Sequence, residues 1–216
     1  LFAALQKPLS NQYIVSMIEN ISQGAVLVLA AGAASRFGSA KQLFNWQGKT
    51  LVEHAVTQAL SLSDEVWVVT GAYQHEIEVT LAPYAVKTLW NPNWASGMGT
   101  SIAAGATALL SNKPLLPWLL VILVDQPFIP LEKLQLLVQT FQLQQKPVVA
   151  AYYQGRGGVP AVFGSSCFEK LTLLQGDQGA RAVIRNASKE DICFVEIPEA
   201  ANDIDHQEDA QRWSSA

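Results

Sequence analysis

Three charged side chains stand where chemistry is most readily done. Asp125 closes LLVILV (119–124), an unbroken apolar run, and is followed by Gln126 and Pro127. A carboxylate at the carboxyl end of a buried strand is costly unless it is paired, hydrogen-bonded or coordinating a cation. Arg36 and Lys41 lie in LAAGAASRFGSAKQ (29–42), among small residues and two glycines. Small residues expose backbone N–H groups, and two cations beside them suit a polyphosphate. The plainer alternative is a glycine turn with solvated cations. The loop is not the dinucleotide fingerprint, because Ala34 and Phe37 follow Gly32 where glycines are required. Nor is it a Walker loop, because Ser39 and Ala40 separate Gly38 from Lys41. Asp203 and Asp205, in DIDHQED, offer a second carboxylate. Mg²⁺ is usually held by one or two carboxylates plus substrate phosphates, although acidic tails are more often simply solvated.

Other loops supply backbone donors. NPNWASGMGTS (91–101) would expose Asn91, Gly97, Gly99 and Ser101 at a helix start, an anion-friendly arrangement. GRGGVP (155–160) and GDQGAR (176–181) add Arg156 and Arg181, with capping and turn chemistry as the alternative. His54, His75 and His206 show no metal spacing. Cys167 and Cys193 are too far apart for a CxxC motif and too few for a disulfide scaffold, so they read as buried apolar residues.

The elements that must position these groups follow from periodicity. Fully apolar or alternating runs predict strands at 25–30, 65–70, 85–90, 119–124, 147–152 and 192–197. Helices are expected over 51–62, 74–82, 101–110, 131–143, 165–174 and 178–187, with Gly105 weakening the third. GRGGVP reads as a glycine-rich loop. Strand–helix alternation implies an α/β domain with a mostly parallel sheet. Ligands then bind outside the carboxyl ends of the strands, at the loops of Gly32, Gly71, Asn91 and Asp125. With 216 residues, 50% apolar and only 15% charged, most of the chain is excluded from disorder. A net charge of −4 argues against non-specific nucleic-acid binding. The longest apolar stretch, LLPWLLVILV (115–124), contains a proline and falls short of the ~20 residues a spanning helix needs, so no membrane partner is expected. Residues 1–23 read as an N-terminal extension and 24–216 as one domain. The extension makes a poor signal peptide. The chain starts at Leu1, so upstream residues are expected to be missing, with Met17 an alternative start. A reduced, cytoplasmic protein is expected.

Taken in order, LAAGAASRFGSAKQ, NPNWASGMGTS, VDQP (124–127), GRGGVP, GDQGAR and DIDHQED resemble the MobA-like nucleotidyltransferases, most closely their molybdenum-cofactor cytidylyltransferase branch. The resemblance covers about residues 25–213. It implies a three-layer α/β/α nucleotide-binding fold akin to the GT-A and nucleotide-diphospho-sugar transferases. It implies that Ala30, Ala31 and Gly32 contact base and ribose, and that Arg36 and Lys41 hold the triphosphate. Ser35, Gly38, Gly71 and Asn91 fall on the same nucleotide side. Asp125 would ligate Mg²⁺, with Mn²⁺ as an alternative, and either Asp203 or Asp205 would complete the metal site. Gly97, Met98, Ser101, Gly158, Pro160, Asp177, Gly179 and Arg181 would line the acceptor side. Ala30-Ala31 replaces the Gly-Gly of guanylyl-transferring relatives, which implies CTP. The sequence departs from the branch at Val159, often His or Asn, and at His206-Gln207, usually Thr-Pro.

The implied chemistry is CMP transfer to the terminal phosphate of molybdopterin, with release of pyrophosphate. The catalytic set would be Lys41, Arg36 and Asp125, and an ionised phosphate nucleophile needs no general base. A client molybdoenzyme or its maturation factor would be the protein partner. Alternatives are transfer to another phosphorylated acceptor, such as a sugar phosphate or methylerythritol phosphate, and a non-catalytic nucleotide- or cofactor-binding role in molybdoenzyme maturation. An NAD-dependent dehydrogenase is the weakest, for want of the fingerprint.

Overall fold

The computed structural model describes residues 23–34, 37–206 and 208–209. The proposed extension, Gln23 apart, lies outside them, as do Ser35 and Arg36. The central sheet is built on β1 (Ala25–Ala30), whose side chains alternate between two cores: Val26, Val28 and Ala30 face one, while Ala25, Leu27 and Leu29 face the other. This two-sided burial is why the run is uniformly apolar. β4 (Glu65–Thr70) and β6 (Trp118–Leu123) flank β1 in parallel register, and β5 (Lys87–Trp90) adds an edge beyond β4.

On the other side of β6, β8 (Arg156–Gly164) runs antiparallel to both β6 and β7 (Val148–Tyr153), and β9 (Ile192–Glu196) pairs with β7 in parallel. The strand order is β5-β4-β1-β6-β8-β7-β9. Sheet and flanking helices form three layers. Helices α1 (Leu51–Leu60), α2 (Gln74–Leu81) and α4 (Leu131–Gln144) pack on one face. Helices α3 (Met98–Asn112), α5 (Phe168–Thr172) and α6 (Arg181–Asn186) pack on the other.

Two elements correct the sequence reading. GRGGVP is not a loop, because β8 begins at Arg156 and runs through it. Its ladder to β7 slips after Ala161 pairs with Ala150, resuming at Gly158 with Ala151, so Val159 and Pro160 form a bulge. Proline lacks the N–H a ladder needs, which is both why the bulge falls there and why the strand was unreadable. The second element is a hairpin of β2 (Asn45–Trp46) and β3 (Lys49–Thr50). Its turn residues Gln47 and Gly48 take φ of 52° and 85°, the positive values a tight hairpin turn requires.

The third helix is longer than expected, starting at Met98 rather than residue 101. Gly105 does not break it but lets it lie against β1, since a Cβ there would sit 2.5 Å from Leu27 Cδ1. Thr50 caps α1 through a reciprocal box with Glu53. Among the described residues, no helix is long and apolar enough to cross a membrane. Cys167 and Cys193 are free thiols.

Candidate active site

At the carboxyl ends of β1 and β6, the chain opens a cavity of about 360 Å³. Its wall includes Ala30, Ala31 and Gly32 from the first loop, Lys41 from the short 3-10 turn Lys41–Leu43, and Asp125 just past β6. Gly97, Met98 and Ser101, at the start of α3, face them. Strand alternation separates the two alanines of the loop. Ala30 packs into the core on the α1 side, whereas Ala31 belongs to the α3-side core, the side from which Trp94 and Met98 wall the cavity.

The floor is electrostatic. Lys41 Nζ lies 3.0 Å from Asp125 Oδ2 and 3.0 Å from Asp205 Oδ1. Lys41 is almost buried, with a side chain 11% exposed, while Asp125 is 23% and Asp205 48% exposed. Burial alone would lower the lysine's pKa. The charge and hydrogen bond of Asp125, helped by Asp205, outweigh that and raise it above the usual lysine value. Asp125 Oδ1 is buried and has no hydrogen-bond partner.

Ile204 organises the acidic tail. It is fully buried in a small cluster with Phe37, Trp46 and Leu51, and its N–H donates to the Asp125 carbonyl at 2.9 Å. Its neighbours therefore diverge. Asp205 turns to Lys41, while Asp203 accepts a hydrogen bond from Gln126 Nε2 at 3.0 Å. The protein packed behind Asp203 desolvates it, and the charges of Asp125 and Asp205 add to this, pushing its carboxyl up to about 6. Among the described residues, no three His, Cys, Asp or Glu side chains form a ready cation cage. The donor set is instead the two carboxylates of Asp125 and Asp205, the first of which keeps one oxygen unpartnered. That fits Mg²⁺ or Mn²⁺, which keep several ligands from water and substrate phosphates.

A second cavity, of about 530 Å³, lies between α6, the start of β8 and β9. Arg156, Arg181, Arg185 and Lys189 line it, with Asp177 as its one acid. None of the four cations forms an ion pair among the described residues. Phe194, 46% exposed, provides an aromatic surface there and rests against Tyr152 with ring centroids 5.4 Å apart. Asp177 lines both cavities. The walls meet where Gly97 (φ 111°) abuts Gly176 and Asp177 so closely that any side chain on Gly97 would collide with them.

The sequence-nominated residues thus divide. Ala30, Ala31, Gly32, Lys41, Asp125, Gly97, Met98, Ser101 and Asp177 share the first cavity, and Asp177 and Arg181 line the second. Others hold the walls from behind. Asn91, 2% exposed, donates to Thr100 Oγ1 and Ser101 Oγ, each at 3.0 Å, bracing the start of α3. Gly71 lies under the loop, where a Cβ would strike the Ala31 carbonyl and Trp94. Gly158 and Pro160 are buried in β8, Gly179 packs against Met98, and Gly38 is an exposed turn residue. Sequence reasoning missed Gln42, Arg185, Lys189 and Phe194. Arg185 had a signal, standing one helical turn from Arg181.

Residues 26–192 match the family model of the MobA-like NTP transferase domain. The chain belongs to that family. It is 32% identical over 171 residues to the nicotine blue oxidoreductase of Paenarthrobacter nicotinovorans, covering 74% of this chain and 80% of that protein. It is 27% identical over 167 residues to the purine catabolism protein PucB of Bacillus subtilis (strain 168), covering 73% and 78%. The molybdenum cofactor cytidylyltransferase of Escherichia coli (strain K12) is 29% identical over 84 residues, 38% of this chain and 44% of that one. Among solved structures, Rv0371c of Mycobacterium tuberculosis H37Rv superposes with a TM-score of 0.74 at 20% identity, over 90% of this chain and 100% of that one. Rv0371c has also been solved in complex with manganese. A nucleotidyl transferase from Methanothermobacter thermautotroptrophicus gives 0.73 at 22% identity, over 88% and 95%. The sheet is therefore that of the nucleotide-diphospho-sugar transferase fold.

Proposed function

We propose that this MobA-like transferase moves CMP from CTP onto the terminal phosphate of a molybdopterin-type cofactor, releasing pyrophosphate. The observation that carries the reading is Lys41, held between Asp125 and Asp205 at the floor of the small-residue loop. The similarity to a cytidylyltransferase over 84 residues supports the substrate pair. Ala31 and Gly32 would receive base and ribose, and Lys41 would move onto the triphosphate, joined by Arg36 from the neighbouring loop. Asp125 and Asp205 would hold a divalent cation, Mg²⁺ or Mn²⁺; when bound, it would neutralise charge on the α- and β-phosphate oxygens.

The acceptor would enter over the second cavity, where Arg156 and Arg181 attract an anion and Phe194 offers a face to a planar ring. An oxygen of its phosphate forms a bond to the α-phosphorus of CTP. The bond from that phosphorus to the bridging oxygen breaks, and the electron pair leaves with pyrophosphate. The nucleophile is already ionised, so the chain supplies position and charge rather than a base. We take residues 24–216 as the single domain that does this, with a client molybdoenzyme or its maturation factor receiving the product.

The test is pyrophosphate release with purified molybdenum cofactor, screened over CTP, GTP, ATP and UTP. Release with CTP in excess of the others supports the reading. CTP binding without release would replace it with a non-catalytic role in cofactor handling. Release only with a sugar phosphate or methylerythritol phosphate would replace the acceptor.

A further inference from the structure

In the first loop, the five successive carbonyls from Ala30 to Ala34 are each engaged by the protein itself. Gln42 Nε2 donates to the carbonyl of Ala30 at 2.9 Å and to that of Gly32 at 2.6 Å. The Ala72 N–H donates to Ala31 at 3.1 Å, and the Phe37 N–H to Ala34 at 2.9 Å. The Tyr73 hydroxyl donates to Ala33 at 3.2 Å. By contrast, no backbone N–H of Gly32, Ala33 or Ala34 donates to an acceptor among the described residues. A loop with its acceptors filled and its donors free favours partners that bring lone pairs: carbonyl oxygens, ring nitrogens and phosphate oxygens.

Gln42 stands at the centre of this arrangement. It is 2% exposed and lines the cavity, one residue after Lys41 in the same 3-10 turn. Both groups near its nitrogen are carbonyls, which only accept, so the orientation of the carboxamide is fixed. Its Oε1 is buried and unpartnered. A buried polar side chain with one end unsatisfied is a poor choice for filling a core. Its use lies in the two bonds its nitrogen makes.

We propose that Gln42 is a positioning residue that, with Tyr73, holds the first loop as a donor-only surface. The chain then recognises its nucleotide through acceptor atoms of the base and phosphates. This rests on the nucleotide-binding part of the reading above and assigns the residue that shapes that site. A base presenting adjacent acceptors, as cytosine does with O2 and N3, suits such a surface. The exocyclic amino group of that base would have to be read elsewhere.

The experiment measures CTP affinity calorimetrically without acceptor, for the parent, Gln42→Met and Gln42→Glu, at pH 6 and pH 8. Gln42→Met keeps length and approximate volume but donates nothing. It should weaken CTP about 10-fold at both pH values, raise KM for CTP and leave kcat at saturating CTP nearly unchanged. Gln42→Glu presents a carboxylate to two carbonyls at pH 8 and should bind worse than Gln42→Met. Burial favours the protonated carboxyl, which can donate one bond, so its affinity should recover towards the parent at pH 6. A side chain that only filled space would give no such pH dependence. The proposal is overturned if folded Gln42→Met binds CTP like the parent, or if both variants lose affinity equally at both pH values. A parent that binds CTP but transfers nothing would sink the transfer reading and leave this result standing.

Discussion

The half of the sheet around β1, β4 and β6 and the half around β7, β8 and β9 carry cavities in opposite electrostatic states. In the first, the one described cation of the cavity floor, Lys41, is matched against two carboxylates, and the loop's carbonyls are tied back. In the second, four cations with no ion pair among the described residues face a single acid. Among the described residues, the first half would offer an approaching triphosphate no surplus of positive charge unless a cation joined the carboxylates. An anion approaching the second half needs no such help. On the proposed function, one half would be completed by its ligand and the other would attract one.

Asp125→Asn should break the contrast most severely. It keeps the shape of the side chain but removes charge from the proposed metal seat. Metal-dependent transfer should fall about 10³-fold or more, the scale of several kcal/mol of charge stabilisation at a metal. Acceptor binding in the second cavity should be untouched. Pyrophosphate release against Mg²⁺ concentration, with Tm recorded beside it, gives the answer. Parent-like turnover would mean that the metal is held elsewhere.

Lys41→Ala separates the two tasks given to that ammonium. Turnover at saturating CTP should fall about 10²-fold, the usual scale for losing one contact to a developing charge. Without nucleotide, however, Mn²⁺ should bind more tightly than to the parent, because nothing competes for Asp125 and Asp205. Equilibrium Mn²⁺ titration reads this directly, and unchanged affinity would show that the ammonium does not guard the seat. The pKa of Lys41 is raised, so its charge persists at all pH values below the ordinary lysine value of about 10.4 and is lost only above it. An alkaline fall in the parent's rate between pH 8 and 10 would therefore have to come from another group.

Much of the first half was legible in the sequence, because its chemistry is local. The loop and Asp125 each sit at a strand end that periodicity locates, Lys41 follows in the same motif, and an ionisable residue after LLVILV is conspicuous. Which of Asp203 and Asp205 turns to Lys41 was not legible. It depends on which way Ile204 points, and that is fixed by a cluster drawn from the loop, the hairpin and α1. Gln42 was invisible because a glutamine beside a lysine reads as surface, and only the curl of the loop buries it. The second half was harder still. Glycine and proline disguised β8 as a loop, and its four cations come from separate elements that only the fold brings together.

Exchanging the loop alanines one at a time refines the first half further. Both alanines touch the cavity, but Ala31 belongs to the α3-side core that walls it and Ala30 packs mainly into the core on the other face. Ala31→Gly should therefore shift the CTP/GTP ratio of kcat/KM by about 10-fold, the lower end of what one pocket contact, worth ~1–3 kcal/mol, can supply. Ala30→Gly should leave the ratio in place and lower stability by about 1 kcal/mol, through lost packing and added chain freedom. If both move the ratio equally, base choice is set by backbone shape rather than by the Ala31 methyl.

The smallest effect is expected from Arg185→Ala, and it tests whether the second half works by general attraction. Arg185 is exposed, sits in the last turn of α6, and has no ion pair among the described residues. Its loss should hardly alter Tm, because exposed charges contribute little to stability. What it contributes is part of the positive field over the cavity, which steers an anionic acceptor and weakens wherever salt screens it. The KM for the acceptor should rise about threefold at low ionic strength, with kcat and the KM for CTP unchanged. The difference from the parent should shrink as salt is raised, since the screening length falls from ~30 Å at 0.01 M to ~8 Å at 0.15 M. A salt-independent rise would point to a specific bond between Arg185 and the acceptor. An equal rise in KM for CTP would mean that the two cavities do not divide the substrates, and the contrast between the halves would fail.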